Sequence, residues 1–406
     1  MPVLTDISTL YVCKSEGQQS DVHPVQKAAV AWTNGLISWV GPAGDLPAEY
    51  TDDVRYSAAG QVVIPGLVDC HTHLGFGGWR ADEFEHRIRG YSYLDIARGG
   101  GGIVKTMRQT RESTKLELLA SCRSHLDKMI RLGVTTVECK SGYGLDELSE
   151  RKRLEVYRDL RESGPVQIVS TFLGAHIVPP EFKKNRESYI RLLCDRMIPE
   201  FAEEGLAEFC DIFVEDSAYS REEAVRILEA GKRAGLTPKL HVDQLHDGGG
   251  AELAASVGAI SADHLEYIGV AGIEQLRRAN VIGVCLPLAS LYLNQRPMPA
   301  RKFVEAGAKV AVATDFNPGS APSLHLPLAM MLACTMNRLT PAEVLKGATM
   351  YAAEAINRGN NSGSIEPGKR ADFAVLDVPD INHWMYNFEA NVCSETFILG
   401  LPRHKK

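Results

Sequence analysis

Eight times between residues 67 and 315, an apolar run rich in β-branched residues gives way to a longer amphipathic stretch. The runs are Leu67–His73, Thr135–Lys140, Val166–Ala175, Cys210–Glu215, Pro238–Val242, Ala259–His264, Val281–Leu286 and Lys309–Asp315. Helical periodicity fills the intervals at Lys115–Leu132, Ser149–Glu162, Ser188–Glu204, Arg221–Ala234, Gly249–Val257, Ala271–Ala279 and Met298–Ala306. Eight such units over roughly 250 residues predict a (β/α)8 barrel, the TIM-like arrangement, over an open doubly wound sheet. A Rossmann fold is further disfavoured because no G-x-G-x-x-G follows the first run.

The two ends of the chain read differently. Residues 28–41 are short alternating strands around Asn34-Gly35, a strong hairpin signal. The stretch from Gly363 to Asp377 repeats that style. The expectation is a small β-sandwich domain built from residues 1–64 plus 363–406, beside a barrel of residues 65–362.

Composition narrows the function classes. A net charge of −7, with no basic run interleaved with aromatics, argues against nucleic acid and anionic membranes as partners. The apolar stretch Leu326–Cys334 is too short to span a bilayer. Nine scattered cysteines, odd in number and never in a C-x-x-C pair, suit reduced thiols. No basic segment followed by an apolar one opens the sequence, so a cytoplasmic protein is expected, acting on a small molecule. A homodimer is left open.

In a barrel, catalytic residues gather at the C-terminal ends of the strands. The polar residues at the predicted ends are His71 and His73, Lys140, His176, Glu215, His241, His264 and Asp315. One buried histidine is an ordinary core residue; five histidines and an aspartate at such positions form a pattern. His71 and His73 are two apart, so a strand projects them to the same side as half of a metal site.

Taken with Pro65-Gly-Leu-Val-Asp-Cys-His-Thr-His73 and the C-terminal Gly363-Ser-Ile-Glu-Pro-Gly-Lys-Arg-Ala-Asp372, these positions resemble the amidohydrolase superfamily. The resemblance implies a metal held by His71, His73, His241 and Asp315, with His264 nearby. Two-metal members bridge their ions with a lysine on the fourth strand. Here that strand, Cys210–Glu215, supplies none, and Lys140 lies on the second. One Zn2+ or Fe ion per chain is therefore expected.

Further stretches are similar to the imidazolonepropionase family: Phe76–Phe84, Gly99–Ile103, Lys140–Leu145, Gly174–Pro180, His241–Gln244 and Asp315–Ser320. That likeness implies hydrolysis of 4-imidazolone-5-propanoate to N-formimidoyl-L-glutamate. Arg80 offers a planar fork for the propionate, and Tyr143 a hydroxyl. His176, Gln244, Asn317, Gly319 and Ser320 suit the ring and its polar edges. Related deaminases carry glutamate where this chain has Gln244, and an amide moves no proton at neutral pH. Proton transfer is thus expected from His264 or Asp315, or from Glu215 if it reaches. The alternative is a deaminase of a purine- or pyrimidine-like ring. The Gly99–Gly102 run reads as a loop near the mouth.

Overall fold

The computed structural model describes residues 1–50, 55–91, 101–387 and 391–406. Its first strands are β1 (Val3–Tyr11), β2 (Pro24–Thr33), β3 (Leu36–Pro42), β4 (Arg55–Ser57) and β5 (Val62–Pro65). Asn34 and Gly35 both take positive φ, 52° and 78°, as a two-residue hairpin turn between β2 and β3 requires.

Gly66 then passes the chain from one sheet to another. An ideal Cβ at 66 would overlap the Thr135 side chain, so only glycine fits at this crossing. Beyond it run β6 (Leu67–Asp69), β7 (Val134–Lys140), β8 (Gln167–Ala175), β9 (Phe209–Val214), β10 (Thr237–Val242), β11 (Ser261–His264), β12 (Ile282–Cys285) and β13 (Val310–Val312). Each pairs in parallel with its neighbour in chain order, giving an eight-stranded barrel sheet. Helices close the units. Those at Lys115–Ile130 and Arg221–Arg233 begin in capping boxes, Thr114 with Glu117 and Ser220 with Glu223.

The barrel closes just past its named strands. Asp315 N donates to His71 O at 3.0 Å, and His73 N donates to Phe316 O at 2.9 Å. Asp69 adds side-chain bonds to Thr314 N at 3.1 Å and Thr314 Oγ1 at 2.6 Å.

The chain returns in β14 (Phe373–Leu376), β15 (Cys393–Ile398) and β16 (Leu401–Lys405). These extend the first sheet in the order β16-β15-β14-β5-β1-β2-β3, with β4 also on β1. In a flat sheet β2 and β15 would lie about 19 Å apart at the usual interstrand spacing. Yet Trp32 of β2 touches Phe373 and Phe397 at ring distances of 5.4 and 6.1 Å. The sheet therefore curls until its two halves enclose a core of their own.

Several expected boundaries shift. The first and eighth barrel strands end at Asp69 and Val312 rather than at His71–His73 and Asp315. Asp315 takes φ 55°, which no extended strand accommodates. The helix expected over Ser188–Glu204 contains a wide turn at Leu193–Met197. Helix Leu326–Thr335 has no polar face because it is almost wholly buried, so its sequence carries no helical period. Residues 99 and 100 of the glycine run lie outside the described residues, while Ile103 opens a helix to Glu112. Among the described residues no helix is long and apolar enough to cross a membrane.

Candidate metal centre

Three strand ends bring these four histidines together. His71 and His73 follow β6, His241 lies in β10 and His264 ends β11. The His71 ring is 5.5 Å from His73, 4.5 Å from His241 and 5.8 Å from His264, centre to centre. Asp315 Oδ1 lies 3.4 Å from His71 Nε2 and 3.5 Å from His73 Nε2. His71, His73 and Asp315 form one set of atoms close enough to share an ion, and His71, His241 and His264 another.

The ring nitrogens divide their work. His71 Nδ1 donates to Asp263 Oδ2 at 2.6 Å, and His241 Nδ1 donates to Asp211 Oδ1 at 3.1 Å. The opposite nitrogens, His71 Nε2 and His241 Nε2, are buried without a hydrogen-bond partner. A carboxylate behind an imidazole whose far nitrogen is free is the arrangement of a metal-binding histidine. Burial also holds His71, His73 and His241 well below the usual imidazole pKa, so each offers a lone pair. These residues fit a metal ion.

His264 differs. Burial works to lower its pKa, but Glu266, with Nδ1 and Oε1 3.5 Å apart, and then Asp315 and Asp263 prevail and raise it. Its backbone φ of 82°, followed by 64° at Leu265, is a double left-handed turn that redirects the chain straight after β11. Ser290 Oγ holds Glu266 at 3.2 Å. Burial lifts Asp315 to about 6, and its Oδ2 accepts a 3.3 Å bond from Ser320 Oγ.

Around this core stand most of the expected substrate residues. His176 stacks on His73 at 5.2 Å, donates from Nδ1 to Gly142 O at 3.1 Å, and is held neutral by burial at about 4. Tyr143 packs 5.4 Å from both His73 and His176. Glu150 fixes the turn bearing Tyr143 by accepting the N–H groups of Gly142, Gly144 and Leu145. Arg80 is buried with its guanidinium against Gly319, where any Cβ would overlap it. Gln244 is buried in the turn after β10.

Two expected roles change. Glu215 is committed to a neighbouring turn: its Oε1 accepts the N–H groups of Gln244 and Leu245, and its Oε2 lies 2.5 Å from His246 Nδ1. It shapes the turn that carries Gln244. Asn317 spends its whole side chain within its own loop, donating to Asp315 O and Ser320 Oγ and accepting from Gly319 N and Ser320 N. Those four bonds exhaust an amide, so Asn317 shapes the loop instead of meeting a ligand.

The sequence reading missed Asp211, Asp263 and Glu266. The available signal was an acidic residue within an otherwise apolar strand, as in Cys210-Asp-Ile-Phe-Val214. Such a charge is tolerated only when something buried pairs with it.

A parallel barrel with imidazoles and one carboxylate gathered at its C-terminal mouth is the design of a metal-dependent hydrolase. The sequence profile of the amidohydrolase family matches residues 62–401, and the chain belongs to that family. Within it the chain stands among the imidazolonepropionases. It is 46% identical to the imidazolonepropionase of Geobacillus kaustophilus (strain HTA426), covering 94% of this chain and 91% of that one. With that of Shouchella clausii (strain KSM-K16) it shares 48%, covering 92% and 84%. Among solved structures, a zinc-bound adenosine deaminase from Xanthomonas campestris superposes with a TM-score of 0.74. At 17% identity, covering 99% of this chain and 92% of that one, it shares the fold alone.

Proposed function

We propose that this chain hydrolyses 4-imidazolone-5-propanoate to N-formimidoyl-L-glutamate, using one Zn2+ or Fe ion held by His71, His73, His241 and Asp315. The observation that carries the reading is the pair of buried, unpartnered nitrogens, His71 Nε2 and His241 Nε2, beside Asp315. Charge favours a single divalent ion. The linked buried groups Lys140, Lys239, Glu138, Asp211 and Asp263 are formally one negative charge in excess, and Asp315 makes it two.

Such an ion, when bound, supplies a Lewis acid that activates water and polarises the carbonyl. The residues do the rest. Arg80 anchors the propionate as a bidentate fork, and Gly319 leaves it room. His176 and Tyr143 flank the ring beside His73. Asp315, whose Oδ2 is steadied by Ser320 Oγ, is placed to take the proton of the attacking water. His264, kept basic by Glu266, stabilises the oxyanion and returns a proton to the leaving ring nitrogen as the C–N bond breaks. Gln244 hydrogen-bonds the ring.

Incubation with freshly prepared imidazolone propionate tests this. The ultraviolet absorbance of the ring should decay without ammonia release. Release of ammonia, or no decay, would overturn the reading.

A further inference from the structure

Beneath the candidate metal centre lies a second ionic cluster, fully buried, organised around one ammonium group. Lys140 Nζ is 2.7 Å from Asp211 Oδ2, 3.0 Å from Glu138 Oε1 and 3.3 Å from Asp263 Oδ2. Thr171 Oγ1 donates to Glu138 Oε1 at 2.5 Å, and Lys239 Nζ approaches the same oxygen at 3.3 Å. Asp211 and Asp263 also hold His241 and His71 from behind. Asp211, His241 and Asp263 place three donor atoms close enough to share a metal ion, and the Lys140 ammonium sits against both of those carboxylates.

We propose that Lys140 is a resident cation: its ammonium stands where Asp211, His241 and Asp263 would otherwise take a second divalent ion, and it fixes the carboxylates that aim His241 and His71 at the first. The proposal rests on the reading that His71, His73, His241 and Asp315 hold that first ion.

The physical case is one of compensation and tethering. Buried carboxylates this close need a cation among them, because a lone buried charge is strongly destabilising. A metal could serve but would come and go with its supply. An ammonium on a covalent stem cannot dissociate. Through Asp211 and Asp263 it reaches two metal-facing imidazoles at once, so Lys140 is a positioning residue that touches neither substrate nor ion.

The test compares wild type, Lys140→Met and Lys140→Ala, stripped with chelator and reloaded with Zn2+. Metal per chain comes from elemental analysis, affinity from chelator competition, and folding from thermal melting of the metal-free proteins. Methionine fills the space without charge, so Lys140→Met should keep one equivalent with affinity weakened about 10- to 100-fold. Alanine empties the space, so Lys140→Ala should bind two equivalents. A lysine serving only the fold would shift the melting temperature and leave affinity per folded chain unchanged. Wild-type affinity in folded Lys140→Met, or a single equivalent in folded Lys140→Ala, would overturn the proposal. If Lys140→Ala does not fold, Lys140→Met decides alone. Wild-type protein that took up no zinc would count instead against the four-residue centre.

Discussion

His71 Nδ1 and Asp263 Oδ2 lie 2.6 Å apart with both side chains fully buried. The carboxylate accepts only, so the ring proton is pinned at Nδ1, and Nε2 must face the centre as a lone pair. Asp263→Asn keeps the shape but lets the amide bond either way, releasing the tautomer. We expect zinc affinity about 10- to 100-fold weaker by chelator competition, with far-UV circular dichroism unchanged. Wild-type affinity in this variant would show that packing alone orients His71.

Removing a ligand is more severe. His241→Ala and Asp315→Ala should lose metal and turnover together, because each deletes one of the four proposed ligands and opens the site to water. Elemental analysis and ultraviolet turnover on the same samples decide the point. Full turnover in metal-free protein would dismiss the mechanism.

Proton handling separates His264 from Gln244. Loss of a neutral hydrogen bond in Gln244→Ala costs about 1 kcal/mol. Loss of a proton-transferring group in His264→Ala should lower kcat roughly 100-fold or more. Equal losses of kcat in the two variants, with KM unchanged, would move the proton traffic elsewhere.

Arg80 and Gly319 should fail alike. Arg80→Met removes the propionate anchor and should cost about 2–5 kcal/mol, seen mainly in KM. Gly319→Ala pushes a methyl group into the guanidinium and should raise KM in the same direction. Metal content should match wild type in both, and a ring analogue without the carboxylate should not distinguish either from wild type. Equal weakening toward both compounds would make Arg80 a structural residue.

Acid should destabilise the fold through its buried imidazoles. His176 titrates near 6.5 when unfolded and about 4 in the native protein, because burial disfavours its cation. Between those values the unfolded chain binds more protons, so stability is complete above 6.5 and falls as pH drops toward 4. By pH 5 this one group costs about 2 kcal/mol, and His71, His73 and His241 act in the same direction. Asp315 and His264, both raised in the native protein, act the other way, so the check is a difference: between pH 7.5 and pH 5, His176→Gln should lose about 2 kcal/mol less stability than wild type by urea midpoint. An unchanged slope in that variant would mean His176 is protonated in the native state.

Much of this was legible in the sequence because the barrel's rhythm is local. A strand of β-branched residues and the amphipathic helix after it are written in consecutive residues, and the functional histidines fall where strands end. What escaped was set by tertiary context. Asp211 and Asp263 read as single acids in strands, and nothing in their neighbourhood says that a histidine from another strand leans on each. Whether Glu215 reaches the site is not legible either, because a strand-end position says nothing about side-chain direction once the chain turns. It serves the backbone of Gln244 and Leu245. Helix Leu326–Thr335 escaped because burial on nearly every side erased its period.

The seam of the barrel carries a last consequence, for biosynthesis. Asp69 and Thr314 meet across 245 positions of sequence, and the backbones of His71 and Asp315 are bonded beside them. A ribosome must therefore have released nearly the whole barrel before the first and last of the proposed ligands can share an ion. Partial chains carry His71 and His73 without Asp315 to face them. Firm capture of the metal is thereby reserved for a chain that has been made through its eighth strand and has closed.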